Sequence, residues 1–204
     1  AMLTLAMACF VKARFAGGGP RWLDAMWLAF GLAFLTKGPP ALLPVAVVVA
    51  FELWHRNARS LLRPLGLAAF AVVGFTWYGL VIMRHPGLLD YFLGHEVYAR
   101  IATDTHARNG EWYGAFKIYV PVFLLGLLPW LAVLAKQKLS GSPAPAPSPP
   151  IQSRFLWLWL LLPLAVFLLS KSPLYLYVLG LFVPACILLA RRLQDWRIGP
   201  AAQI

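Results

Sequence analysis

Between Arg84 and Lys117 the chain collects His85, Asp90, His95, Glu96, Arg100, Asp104, His106, Arg108 and Glu111. These include three of its four histidines and four of its seven acids, so most of its proton-exchanging chemistry sits in one short segment. Imidazoles, carboxylates and guanidiniums at this density can shuttle protons, ligate a metal or grip an anion; the apolar runs on either side can do none of these. Glu96 and Arg100 are four residues apart and share a face if the segment is helical. The spacing fits an ordinary surface ion pair. It equally fits a site in which His95 or Glu96 meets a metal or a sugar hydroxyl while Arg100 holds a phosphate. Two residues do not specify a metal site.

The elements that must present this segment are membrane spans. The 204 residues are 61% hydrophobic, with a mean hydropathy of +0.72. A soluble domain is nearer half apolar. Nine Trp and seven Tyr suit the interfacial belts, where a ring meets both oil and water. A net charge of +11 could suggest nucleic acid, but the cations sit at the ends of apolar runs, which is the membrane pattern and argues against a nucleic-acid partner. Cys9 and Cys186 lie inside separate apolar runs and read as small buried hydrophobes. The chain opens within an apolar run, with no charged n-region or small-residue cleavage site. It therefore reads as an internal or C-terminal piece of a longer protein, not as one starting with a signal peptide.

Seven spans are expected, at 2–11, 22–36, 41–54, 65–83, 118–135, 155–169 and 174–190. The fold class is all-α, a polytopic transmembrane bundle with one polar loop. By segment, 1–83 holds four spans and a turn at Lys37, 84–117 is the polar loop with short helices, and 118–135 is one span. Residues 136–154 form a Pro/Ser/Ala linker, and 155–204 a hairpin of spans with a basic tail. Several runs are shorter than the ~20 residues of a straight span, and flanking Trp, Tyr and Arg supply the remainder by snorkelling. Thr36-Lys37-Gly38-Pro39-Pro40 must break a helix.

Alternate loops place Lys12, Arg14, Arg21, Arg56, Arg59, Arg63, Lys136, Lys138, Arg154, Arg191, Arg192 and Arg197 on one face. Lys37, Arg84, Arg100, Arg108, Lys117 and Lys171 fall on the other. Twelve cations against six make the first face cytoplasmic by the positive-inside rule. The polar loop and the turns at Lys37 and Lys171 then face the opposite side, which in a bacterium is the periplasm, and the C-terminus is cytoplasmic. Cations from three turns would suit a phosphate at the membrane surface, and backbone N–H groups freed at the Lys37 break could join them. Interfacial snorkelling alone would account for Lys37 and Lys171 equally well.

Several motifs, in order, resemble the ArnT-like branch of the GT-C glycosyltransferases, within the protein mannosyltransferase superfamily. Gly31 to Pro39 (Gly-Leu-Ala-Phe-Leu-Thr-Lys-Gly-Pro) resembles one signature. His95-Glu96-Val97-Tyr98-Ala99-Arg100 resembles a His-Glu-His-x-x-Arg element. His106 with Glu111-Trp112-Tyr113 resembles a later His and aromatic pair. Gly126-Leu127-Leu128-Pro129-Trp130 resembles the Gly-x-x-Pro-Trp that opens the next span, and Ser170 to Tyr175 a Ser-Lys/Arg-x-x-x-Tyr turn. Val97 stands where the family has a second His, and Asn109-Gly110-Glu111 departs from the residues before the aromatic pair, so sugar and acceptor can differ from aminoarabinose and lipid A.

The resemblance implies an inverting enzyme that moves a sugar from an undecaprenyl-phosphate donor to a periplasmic acceptor such as lipid A or another glycan. Its partners are membrane lipids, the polyprenyl-phosphate sugar and that acceptor. Arg100 and Lys171 would grip the donor phosphate. Lys37, Glu96, His106 and Tyr113 would line the sugar and acceptor cavity, and His95 would be a ligand if a divalent metal ion takes part. The family's catalytic Asp is expected N-terminal to this chain. Asp90 and Asp104 are not its equivalents, so the piece alone would be inactive. A transporter or flippase of a lipid-linked substrate is the alternative, although transporters place polar groups near the bilayer midplane on broken helices and the polarity here gathers at one edge. A membrane scaffold subunit without a small-molecule site is a third reading.

Overall fold

The computed structural model describes residues 1–85, 87–88, 113–139, 150–169 and 175–193. Apolar runs between charged ends fold as helices: α1 (Met2–Phe15), α2 (Arg21–Lys37), α3 (Leu42–Trp54), α4 (Pro64–Arg84), α5 (Gly114–Leu139), α6 (Pro150–Leu169) and α7 (Phe182–Leu193). Short 3-10 turns precede three of them, at Pro39–Ala41, Ala58–Leu61 and Tyr175–Leu181. Each expected span thus has its helix. Among the described residues, four are long and apolar enough to cross a membrane: Pro64–Arg84, Gly114–Lys136, Ile151–Leu169 and Tyr175–Leu193. The count of seven spans is not met by length. α1 has 14 residues and α2 has 17, roughly 21 and 25 Å at 1.5 Å per residue, against a hydrocarbon core of ~30 Å. Pro39–Trp54 is also short.

The ends of α5 and α6 differ from expectation. α5 begins at Gly114, so Lys117 lies in its first turn and not in the loop, with its N–H bonded to the Tyr113 carbonyl at 3.0 Å. It runs on to Leu139, and α6 starts at Pro150, so 136–139 and 150–154 are helical where a linker was expected. Lys and Gln are good helix formers, and no Gly or Pro interrupts before Ser140-Gly141. Pro150 supplies a φ suited to a first helical turn. Gly126 to Trp130, expected to open a span, lies inside α5, which carries Pro121 and Pro129 without ending.

An aromatic cluster ties α1, α3 and α6 together. Phe10 and Phe51 approach Phe155 with ring centroids at 5.0 and 5.1 Å, and all three are essentially fully buried. α2 and α4 cross close together because Gly31 has no side chain. A Cβ there would stand 3.1 Å from the Phe70 Cα and 3.2 Å from its carbonyl oxygen, both backbone atoms that cannot turn aside. Trp27, Phe34 and Phe70 fill the flanks of the crossing, and the Trp27 Nε1–H donates to the Leu61 carbonyl at 3.0 Å. Lipid offers helices no hydrophobic drive to associate, so such close approach must provide the attraction. Gly31→Leu is expected to part α2 from α4 at a cost of about 1–3 kcal/mol. The check is the thermal unfolding midpoint in detergent, and an unshifted midpoint would show that the crossing is not tight.

Candidate functional site

Contacts sort into two ends of the bundle. At one end Arg14 bonds Glu52, Arg63 bonds Asp24, Arg191 donates to Gln152 at 2.8 Å, and the Arg154 guanidinium lies 5.8 Å from the Trp54 ring centre. All four pairs use cations assigned from sequence to the same, more basic face. Asp24 accepts two bonds from Arg63, at 2.8 and 3.2 Å, which push the Arg63 guanidinium above its ordinary range. Neither acid was picked out from sequence. Asp24 and Glu52 are each a lone carboxylate near the basic end of an apolar run, facing a cation about 38 residues away along the chain. That is the only sequence signal they carry, and their role is to join helices.

At the other end stands Lys37. Its position follows from the local sequence. α2 continues to Lys37 and stops because Gly38 takes φ +70°, a conformation that suits glycine. Pro39–Ala41 then makes a single 3-10 turn before α3. The break offers no spare backbone donors through Leu42. The Gly38 N–H bonds the Phe34 carbonyl at 2.7 Å, Pro39 and Pro40 have no N–H, and the Ala41 and Leu42 N–H groups bond the carbonyls of Gly38 and Pro39. The expectation that freed amides there would meet an anion is corrected: the turn is self-satisfied, and the side chain of Lys37 is what it presents.

Lys37 is exposed, and its Nζ lies 5.5 Å from the centre of the Tyr177 ring. A ring face attracts a cation at this range. The two side chains border a cavity of about 80 Å³ with Pro40, Trp159 and Phe167 in its wall. Tyr177 stacks on Phe167 at 5.5 Å. The cavity therefore pairs mostly apolar walls with one cation. Tyr177 was not singled out from sequence; the quoted turn ended at Tyr175. Residues two apart in a 3-10 helix point in different directions, and Tyr175 is 61% exposed, while Tyr177 turns to Lys37. Tyr113 is exposed at the entry to α5 and is not among the cavity's lining residues.

His95, Glu96, Arg100, His106 and Lys171 lie outside the described residues, as do Asp90 and Asp104. Among the described residues, no three His, Cys, Asp or Glu side chains come together as a metal site would require.

Comparison with known proteins identifies this architecture. No family model matches the chain. The undecaprenyl phosphate-α-4-amino-4-deoxy-L-arabinose arabinosyl transferase of Aeromonas salmonicida is 36% identical over 171 residues, 82% of this chain and 30% of that protein. The enzyme of the same name from Serratia proteamaculans is 31% identical over 188 residues, 91% of this chain and 33% of that protein. The crystal structure of ArnT from Cupriavidus metallidurans bound to undecaprenyl phosphate superposes with a TM-score of 0.74 at 25% identity, covering 97% of this chain and 36% of that one. This chain is ArnT-like in sequence and fold. It is a membrane-embedded helical bundle of GT-C type, and it spans about a third of the length of the relatives it matches.

Proposed function

We propose that the protein to which this chain belongs transfers a sugar from an undecaprenyl-phosphate donor to a periplasmic acceptor such as a phosphate of lipid A, at the bacterial inner membrane. An acceptor oxygen would attack the anomeric carbon from the face opposite the leaving group. The bond from that carbon to the undecaprenyl-phosphate oxygen would break, and the phosphate would leave with the electron pair. Cations beside the leaving phosphate stabilise charge that grows in the transition state.

The observation that carries this reading is Lys37 at the rim of an apolar-walled cavity, beside Tyr177, in a chain with arabinosyl-transferase relatives. In this proposal Arg100 and Lys171 hold the donor phosphate, Lys37, Glu96, His106 and Tyr113 line the sugar and acceptor space, and His95 is a ligand if a divalent metal is used. No catalytic acid is assigned within this chain. The Lys37 rim is periplasmic and the Arg14–Glu52 end cytoplasmic, on the excess of cations at the second end.

The test is sugar transfer by the full-length parent, in membranes, from an undecaprenyl-phosphate sugar. Arg100→Ala is expected to lower transfer at least a hundredfold, with the protein inserted in wild-type amount, because a guanidinium–phosphate fork is lost. Wild-type transfer by that variant would make Arg100 an interfacial anchor and remove it from the donor site.

A further inference from the structure

The aromatic ring beside Lys37 sits 5.5 Å from its Nζ and attracts the far end of the side chain. The point from which that side chain springs is set by the backbone. Lys37 is the last residue of α2, three residues beyond Phe34. The Phe34 carbonyl accepts the Gly38 N–H at 2.7 Å and also faces the Tyr78 hydroxyl of α4, which donates to it at 3.4 Å. A Cβ on Gly38 would lie 3.3 Å from the same hydroxyl oxygen, so the phenol closes over the turn itself. The Phe34 ring, nearly buried, packs on Tyr78 at 5.5 Å and on Phe75 at 4.8 Å. One tyrosine thus covers the carbonyl that ends α2, the glycine that turns the chain, and the ring beneath both. α4 then reaches Arg84, where the polar segment bearing Arg100 begins.

We propose that Tyr78 is a positioning residue for Lys37: its hydroxyl pins the last turn of α2 so that the ammonium is presented at the cavity rim. The inference rests on the reading of Lys37 given above and adds to it the element that holds the lysine in place. Tyr78 acts through the backbone of residues 34–38. A tyrosine that merely filled space between α2 and α4 would need its ring and not its hydroxyl.

The experiment is a double-mutant cycle in the full-length parent, with Tyr78→Phe, Lys37→Gln and the pair together. Transfer from an undecaprenyl-phosphate sugar is read under single-turnover conditions with enzyme in excess, so that slow variants still give a slope. Tyr78→Phe keeps the ring, so the unfolding midpoint in detergent is expected to stay at the wild-type value. Its transfer rate is expected to fall three- to tenfold. In the Lys37→Gln background the same change is expected to cost less than twofold, since the group it positions is gone. Wild-type transfer by Tyr78→Phe would overturn the proposal, as would a loss that multiplies in full onto that of Lys37→Gln. In both cases a slow Lys37→Gln leaves the reading of Lys37 standing. Wild-type transfer by Lys37→Gln would overturn both.

Discussion

Arg14→Ala is expected to destabilise the bundle by about 3–5 kcal/mol, the usual consequence of stranding one partner of a buried ion pair. Glu52 is fully buried, and its Oε1 accepts the Arg14 Nε–H at 2.9 Å. The other oxygen, Oε2, is buried with no hydrogen-bond partner among the described residues. The carboxylate lies in the helix that carries Phe51, whose ring packs against Phe10 and Phe155. The pair is asymmetric. Arg14 keeps 30% of its side-chain surface and can reach water at the bundle end if Glu52 is removed, so Glu52→Leu is expected to cost much less than Arg14→Ala. Replacing both, with Arg14→Met and Glu52→Leu, removes the two desolvation costs together and is expected to bring stability back to within about 1 kcal/mol of wild type. Unfolding midpoints of the four proteins in one detergent check this. An Arg14→Ala midpoint equal to wild type would mean that Glu52 is satisfied by some other group.

That pair also shows where the sequence is and is not legible. The helices could be read because each apolar run is bounded by cations or by Gly and Pro, and bilayer thickness limits what such a run can be. The pairing of ends could be read from the same alternation of charge: Arg14 with Glu52, Asp24 with Arg63 and Gln152 with Arg191 meet at one end, and Lys37 with Tyr177 at the other. Helix ends were less legible. Lys136 and Arg154 mark an interface to the eye, but a helix does not stop where the bilayer does, and α5 and α6 run past both. Partners distant in sequence were not legible at all. Nothing in the residues around Glu52 names Arg14, and nothing around Lys37 chooses Tyr177 over Tyr175, because that choice depends on a seven-residue 3-10 turn that composition does not announce. The amide donors anticipated at the Lys37 break failed for a local reason: two prolines remove donors as well as breaking the helix.

Lys37→Gln is expected to slow sugar transfer by the full-length parent about ten- to a hundredfold, roughly 1.4–2.7 kcal/mol of transition-state stabilisation. Glutamine keeps much of the length and polarity of the side chain and removes the charge, so the loss would report electrostatics and not packing. Lys37→Arg separates two roles. An arginine keeps the charge and can stack on the Tyr177 face, but its planar fork is longer and would press on the wall at Pro40 and Trp159 in a cavity of about 80 Å³. Partial activity is expected, between wild type and Lys37→Gln. Tyr177 should divide in the same manner. Tyr177→Phe keeps the ring face 5.5 Å from Nζ and is expected to lose less than threefold if the face is what holds the lysine, whereas Tyr177→Ala opens the cavity and is expected to approach the Lys37→Gln rate. Should Lys37→Gln transfer sugar at the wild-type rate while Arg100→Ala does not, the lysine is an interfacial anchor and the donor phosphate is held without it. The rim of the cavity would then be a consequence of where α2 ends, with the donor phosphate left to Arg100 and Lys171.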